Sequence, residues 1–255
     1  MRLARALVLC LAWAGAAAAC DYPGPAPGQG AAEAVGNGIT WAGFSDATDR
    51  YPHGALGDAW EAGGLRARAG TLGPCDLAVI LPETRVFEDV APRLADIDGD
   101  GRTDIVVIES AYGEGASLVV YGLAGDRLEK MAATPPIGLT NRWLSPVGIA
   151  DLNGDGGLEI AYIETPHLGK ILRIWTWDGD GLTQIASASG LTNHRFGEPF
   201  ISGGVRASEG RLELISADAP WRRIIATSLD ADGDLSFREL GPFEGAESLS
   251  RARAC

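Results

Sequence analysis

Nine residues, Asp96-Ile-Asp-Gly-Asp-Gly-Arg-Thr-Asp104, constrain this chain more than any other stretch, because they set carboxylates at positions 1, 3, 5 and 9 of one glycine-kinked loop. Like charges at that density repel unless a hard cation sits among them. An all-oxygen donor set suits Ca²⁺, which takes roughly six to eight oxygens in flexible geometry. An EF-hand is excluded: its loop needs a bidentate Glu at the twelfth position and a helix on each side. Val107 stands at that position, and Ile105-Val-Val-Ile108 is a β-branched run that reads as a buried strand. The stretch is therefore expected to be a calcium loop joining two strands.

The pattern returns at Asp151-Leu-Asn-Gly-Asp-Gly-Gly-Leu-Glu159, 55 residues further on, again followed by an apolar strand, Ile160 to Ile163. Aligning the closing carboxylates, Asp104, Glu159 and Glu213, defines three units of one plan. In each, an inner strand (Arg93 to Asp96, Val147 to Asp151, Gly203 to Arg206) leads through the loop to a second strand. A third strand, a Gly/Asp turn and a fourth strand (Leu128 to Ala132, Leu182 to Ala186, Leu235 to Leu240) complete the unit. Four antiparallel strands repeated at about 50 residues predict an all-β fold, a β-propeller of about four four-stranded blades. An irregular blade without a loop is expected ahead of these, from Tyr51 to Asp58 through Leu65 to Ala69, Asp76 to Leu81 and Arg85 to Val90. Ile39 to Phe44 is expected as an outer strand closing the ring against the last blade. In the third unit Arg206 occupies the place of the first ligand, so no cation is expected there. Asp230-Ala-Asp-Gly-Asp234 falls where the other units have hairpin turns; it reads as an acidic turn, with a weak further Ca²⁺ site as the alternative.

The two loops, each followed by an apolar strand, resemble the calcium loops of FG-GAP/VCBS repeats, the blade units of integrin-α-type propellers. The resemblance covers roughly Arg85 to Leu240. It implies ligation by side chains at positions 1, 3, 5 and 9 and by the carbonyl at position 7. These are Asp96, Asp98, Asp100 and Asp104 with the carbonyl of Arg102, and Asp151, Asn153, Asp155 and Glu159 with the carbonyl of Gly157. Glu159 departs from the usual Asp. Since the family spans adhesion receptors, lectins and enzyme appendages, the resemblance speaks to fold more than to function.

Arg2, Arg5, the apolar run Ala6 to Ala14 and Ala17-Ala-Ala19 read as an export signal over 1–19, followed by a Pro/Gly/Ala-rich leader over 20–38, the propeller over 39–245 and a tail over 246–255. No other segment is long and apolar enough to span a bilayer. Secretion or a periplasmic location follows. Cys20, directly after three alanines, also resembles a lipoprotein acceptor, although Ala17 stands where such sites carry Leu. Discounting Cys10 in the signal leaves Cys20, Cys75 and Cys255. One bridge is expected in an oxidising compartment, Cys75 to Cys255 in preference to Cys20 to Cys75. The net charge of −13 disfavours nucleic acid and anionic membrane as partners.

The topology sends the loops to one face and the inter-blade links to the other. Leu139-Thr-Asn-Arg-Trp143 and Leu191-Thr-Asn-His-Arg195 are matching links, and the second strands end in Glu109, Glu164 and Asp218. Candidate ligand-binding residues on that face are Arg142, Trp143, His167, His194 and Arg195, joined by His53. They would form a polar, aromatic-bearing pocket for a protein or carbohydrate; alternatively, the repeated acids staple their own turns and links. No nucleophile elbow, P-loop, dinucleotide fingerprint or zinc helix occurs. The chain therefore reads as an exported, calcium-binding, non-enzymatic binding or adhesion module. A hydrolase or lyase using the histidine face, or a purely structural envelope protein, is the alternative.

Overall fold

A computed structural model describes Pro25 and residues 28–254. The sequence-predicted signal, Cys20 and Cys255 lie outside the described residues. Strands β1 (Ala31–Glu33), β2 (Ile39–Thr48), β3 (Glu61–Ala69) and β4 (Leu72–Ile80) pair in sequence order and form the first unit. In the second, β5 (Arg85–Phe87) and β6 (Arg93–Ala95) are two halves of an interrupted inner strand, both antiparallel to β7 (Asp104–Ala111). β8 (Gly115–Ala124) and β9 (Arg127–Ala133) follow. The third unit is an uninterrupted meander of β10 (Leu144–Ala150), β11 (Glu159–Glu164), β12 (Ile171–Trp177) and β13 (Leu182–Ser189). The fourth repeats the split inner strand, β14 (Leu191–Thr192) and β15 (Gly204–Ser208) on β16 (Arg211–Asp218), before β17 (Arg223–Leu229) and β18 (Leu235–Pro242). A helix, α1 (Ala246–Ala254), ends the chain.

The period of two along each second strand is what stacks these units. Ile105 and Val107 of β7 face a core shared with the first unit, whereas Val106 and Ile108 face a core shared with the third. On β11, Ile160 and Tyr162 join that same second core, while Ala161 and Ile163 pack on the fourth unit. Leu214 of β16 faces the third unit, and Ile215 and Ala217 face the opposite way. Both faces of each middle sheet are thus dry, which explains the continuous β-branched runs that replace alternation with polar residues. Trp175 lies in this packing, buried and stacked on Tyr162 with ring centroids 6.4 Å apart.

The far face of the last sheet is covered by α1, whose Leu249 packs on Ile215, Ala217, Ile224 and Ala226. Glu247 in its first turn and Arg251 and Arg253 in its last complement the helix dipole. The guanidinium of Arg206 donates to the carbonyl of Ala252, 2.9 Å away, tying the helix end to β15. The stretch expected only as a tail is therefore an ordered cover.

Three expectations for the N-terminal part are corrected. Ile39 to Phe44 lie in the long β2, paired with β1 and β3 and not with the last sheet. Tyr51 to Asp58 form an irregular connection instead of an inner strand, because Pro52, Gly54 and Gly57, the glycines with φ of 68° and 92°, interrupt extended backbone. Arg85 to Phe87 open the inner strand of the second unit, pairing with Ser110 and its neighbours in β7. They pair with β3 at Ala62 and Phe87, and this pair merges the first two units into one nine-stranded sheet. Cys75, on β4, is disulfide-bonded; both partners weighed for it, Cys20 and Cys255, lie outside the described residues.

Candidate functional site

The two acidic loops share a skeleton that the sequence spacing dictates. In each, the closing acid accepts the amide of the second loop residue: Ile97 N–H donates to Asp104 at 3.0 Å and Leu152 N–H to Glu159 at 2.7 Å. The first acid accepts the amide five residues on, Gly101 to Asp96 at 2.9 Å and Gly156 to Asp151 at 3.1 Å. Glycines with φ between 73° and 92° (Gly99, Gly101, Gly154 and Gly156) allow the chain to curl around these carboxylates.

What remains unsatisfied is informative. Asp96, Asp98 and Asp104 bring one carboxylate oxygen each within 4.8 Å of one another. Oδ1 of Asp96 and Oε1 of Glu159 are buried without a hydrogen-bond partner. Burial pushes the Asp104 carboxyl up to about 6, with the charges of Asp98, Asp100 and Asp96 adding to the shift against the amide of Ile97. Glu159 is raised by the same cause. Buried acceptors without donors, in an all-oxygen cluster, fit a hard divalent cation. The remaining positions are engaged locally. Asp100 pairs with the guanidinium of Arg102 at 2.6 Å, and Asn153 donates its amide to Asp155 at 3.0 Å. Asp155 accepts the N–H of Gly157 at 2.7 Å. Among the described residues, convergence of three acids occurs only in the first loop.

In the fourth unit the loop is gone. Ser208 pairs with Arg211 across a two-residue turn, Glu209-Gly210, with φ of 51° and 81°, the left-handed pair that a tight hairpin requires. Arg206 sits opposite Glu213, so it takes the register position of Ala95 and Ala150 and not, as the spacing suggested, that of Asp96 and Asp151. It holds Glu213 at 2.8 Å and Arg238 adds a second guanidinium at 2.9 Å. Asp230 to Asp234 form a hairpin turn in which Asp230 accepts the amides of Asp232 and Asp234.

On the other face a cavity of about 340 Å³ is lined by His53, Asn141, Arg142, Trp143, Thr165, His167 and Phe196, among others. His167 and His194 meet at 2.9 Å, and His194 bonds the carbonyl of Glu198 at 2.8 Å. His194 is fully buried, with its ring edge-on to Trp143 at 4.9 Å. Burial, with His194 and His53 nearby, lowers His167 to about 4. His53 lines the same cavity and is held by the buried Glu88, 2.5 Å from its Nδ1; Ser110 donates to the other Glu88 oxygen. Of the five residues expected here, Arg195 turns away: its guanidinium lies over Trp221 and Phe243, 4.6 and 5.1 Å from the ring centroids. Glu88, Thr165 and Phe196 had not been singled out from the sequence. Only the pairing of β5 with β7, which sets Val86 opposite Ser110 and so brings Glu88 within reach of the Ser110 hydroxyl, shows its role.

The acids expected to end each second strand are all engaged, Glu109 two residues inside the end of β7 and Glu164 and Asp218 at the ends of β11 and β16. Glu109 accepts from Tyr121 and Lys130 at 2.5 and 2.9 Å. Glu164 takes Arg173 in two bonds, and Asp218 accepts the amides of Arg222 and Arg223.

Fold and loops together define an all-β repeat protein of successive curled sheets with an acidic connector at the head of the second strand. Residues 91–162 match the model of the FG-GAP-like repeat. That span begins just before β6, includes both acidic loops and ends within β11, so the chain carries this repeat and is consistent with an FG-GAP/VCBS repeat protein. No curated protein matches it. Among the described residues, no helix is long and apolar enough to cross a membrane.

Proposed function

We propose that the protein is an exported, propeller-like binding or adhesion module without catalytic chemistry of its own, stabilised by calcium in its acidic loops. The observation that carries this reading is the convergence of Asp96, Asp98 and Asp104, with Oδ1 of Asp96 buried and unpartnered. In the first loop, Asp96, Asp98, Asp100 and Asp104 would hold the ion with the carbonyl of Arg102. In the second, Asp151, Asn153, Asp155 and Glu159 would do so with the carbonyl of Gly157. Bound calcium would supply positive charge among the acids of each loop and so strengthen the link between inner and second strands. A binding role is supported by the repeat itself and by the cavity on the opposite face, remote in the topology from both loops.

Export is supported by the signal-like N-terminus and by the disulfide at Cys75, a bond that persists outside reducing compartments. The test is calorimetric. Titrating Ca²⁺ into chelator-treated protein should show saturable binding, and EDTA should lower the melting temperature. A protein that takes up no calcium and melts alike with and without EDTA would overturn the reading.

A further inference from the structure

The positions of protons in the histidine cavity follow from the bonds around it. A backbone carbonyl only accepts, so His194 must donate its Nε2–H to Glu198; its Nδ1 is then an acceptor and His167 must donate Nε2–H to it. That leaves Nδ1 of His167 with a free lone pair. His53 gives its Nδ1–H to Glu88, whose second oxygen is already held by Ser110, so Nε2 is the nitrogen of that ring left for the cavity. Both rings line the same cavity, which therefore has one fixed acceptor, His167 Nδ1, and a second oriented ring nitrogen, His53 Nε2, in its wall. Each is oriented by a buried partner, as a recognition site needs.

The rest of the lining narrows the ligand. None of the cavity's walls is formed by an acid, and Arg142 at its edge has spent one N–H on Asn141, so a cationic ligand is disfavoured and ligand oxygens are welcome. Phe196 and Leu168 are 61% and 64% exposed at its mouth, an apolar rim without cover among the described residues. Phe196 meets both rings edge-on, 6.0 Å from His53 and 5.3 Å from His167. Asn141 and Thr165, two cavity residues, hold left-handed backbone at φ of 56° and 45°, a cost that recurs where a site is shaped. The volume falls in the roughly 300–1,000 Å³ range of small-molecule sites. The histidines do not converge as a metal cluster; among the described residues only the first acidic loop does.

We propose that this cavity is a saccharide subsite: one hydroxyl of a sugar ring donates to His167 Nδ1 and another bonds His53 Nε2, its C–H face lies on Phe196, and Arg142 donates to a ring or carboxylate oxygen. Ring hydroxyls, which both donate and accept, around an apolar face match this arrangement of ring nitrogens and aromatic surface, and a partly exposed aromatic is the part of such a site that water covers poorly. The proposal rests on the binding-module reading and names the ligand class for it.

The experiment titrates neutral and uronic-acid-bearing oligosaccharides into the calcium-loaded, full-length protein by calorimetry. Long-range ¹⁵N NMR of the histidines follows the protons. At least one oligosaccharide should bind, with the Nδ1 resonance of His167 unprotonated in the free protein and shifted on binding. His167→Phe should weaken binding about tenfold or more, and so should Phe196→Ala, whose exposed side chain leaves melting unchanged. Arg142→Ala should weaken acidic sugars more than neutral ones if the carboxylate is what it meets, and both alike if it meets a ring oxygen. Absence of binding across the panel, binding that survives both His167→Phe and Phe196→Ala, or a proton on His167 Nδ1 would each overturn the proposal. If sugars fail while EDTA-sensitive melting and capture of a protein partner persist, the ligand class falls and the module reading stands.

Discussion

Arg206 lies directly opposite Glu213 in the β15–β16 register, at the position where Ala95 faces Asp104 and Ala150 faces Glu159. One closing carboxylate of the repeat is thus neutralised by the chain itself, through Arg206 at 2.8 Å and Arg238 at 2.9 Å, while the other two stand in acidic loops. Where the second and third units have an acidic loop, the fourth has an internal ion pair and a two-residue turn.

Removing Arg206 tests this arrangement. Burial alone would raise Glu213, but the two guanidiniums outweigh it and hold the carboxyl below its ordinary range. A depressed acid contributes stability above its unfolded pKa and loses it as the pH falls through the folded value. Arg206→Ala should cost on the order of 2 kcal/mol, since a buried carboxylate keeps only the half-exposed Arg238 as partner. The loss should be equal in calcium and in EDTA, and the gap to wild type should narrow in acid as Glu213 protonates, leaving the part due to the lost bond to the Ala252 carbonyl. Thermal melts from neutral pH down to about pH 3, with and without chelator, measure both.

The acidic loops should behave in the opposite way. Asp98→Ala combined with Asn153→Ala removes the third ligand position of each loop and leaves the amide bonds to Asp104 and Glu159 in place. The double variant should melt lower than wild type in calcium and show no further drop on adding EDTA. At saturating ion the wild-type gain should follow the usual linkage, about 2.7 kcal/mol at a hundredfold excess over Kd. A double variant that still responds to EDTA would move the ion away from these loops.

Much of this was legible in the sequence because the repeat writes the same chemistry twice. Acids at fixed offsets, glycines where the chain curls and β-branched runs behind them located β6, β7, β10 and β11 and the loops between them. Long-range pairing was not legible. Arg85 to Phe87 belongs with β7 because of Glu109, Ser110 and Ala111 opposite it, a partnership no local pattern encodes. The helix escaped for a related reason: Leu249 is its one large apolar residue with a buried side chain, so the segment has little amphipathic signal until the bare face of the last sheet is known. At the histidine face the spacing brought His167 and His194 to one place, but Arg195 was drawn off by Trp221, itself held at φ of 56°. Such side-chain choices depend on neighbours distant in sequence.

Glu61 offers a pH test independent of calcium. Its side chain is buried, one oxygen has no partner, and burial followed by the charges of Glu88, Asp58 and Asp89 pushes it up to about 10. A raised acid contributes stability below its unfolded pKa and loses it progressively as the pH climbs toward the folded value. Glu61→Gln keeps the shape and removes the titration. It should be neutral near pH 4 and stabilising by more than about 1 kcal/mol at pH 8, with the difference still growing toward pH 10. Parallel melting curves across that range would show that Glu61 is not the buried neutral acid described here.

The third and fourth units meet through Gly148, at the bulge of β10, where an added Cβ would come within 2.3 Å of Cγ2 of Val205 on β15. Gly148 does not hold a left-handed backbone, so its lack of a side chain is a matter of space. Gly148→Ala should therefore overpack the interface and cost about 1–3 kcal/mol. Val205→Ala alone removes two methyl groups from a partly buried site and should cost about 1 kcal/mol. In the double variant the smaller residue admits the new methyl, so the two losses should fall short of additivity by at least about 0.5 kcal/mol, the scale of coupling between residues in contact. Strict additivity in a chemical-denaturation cycle would mean that the two sheets do not close on each other at this point, and that the split of the core between them is wrong.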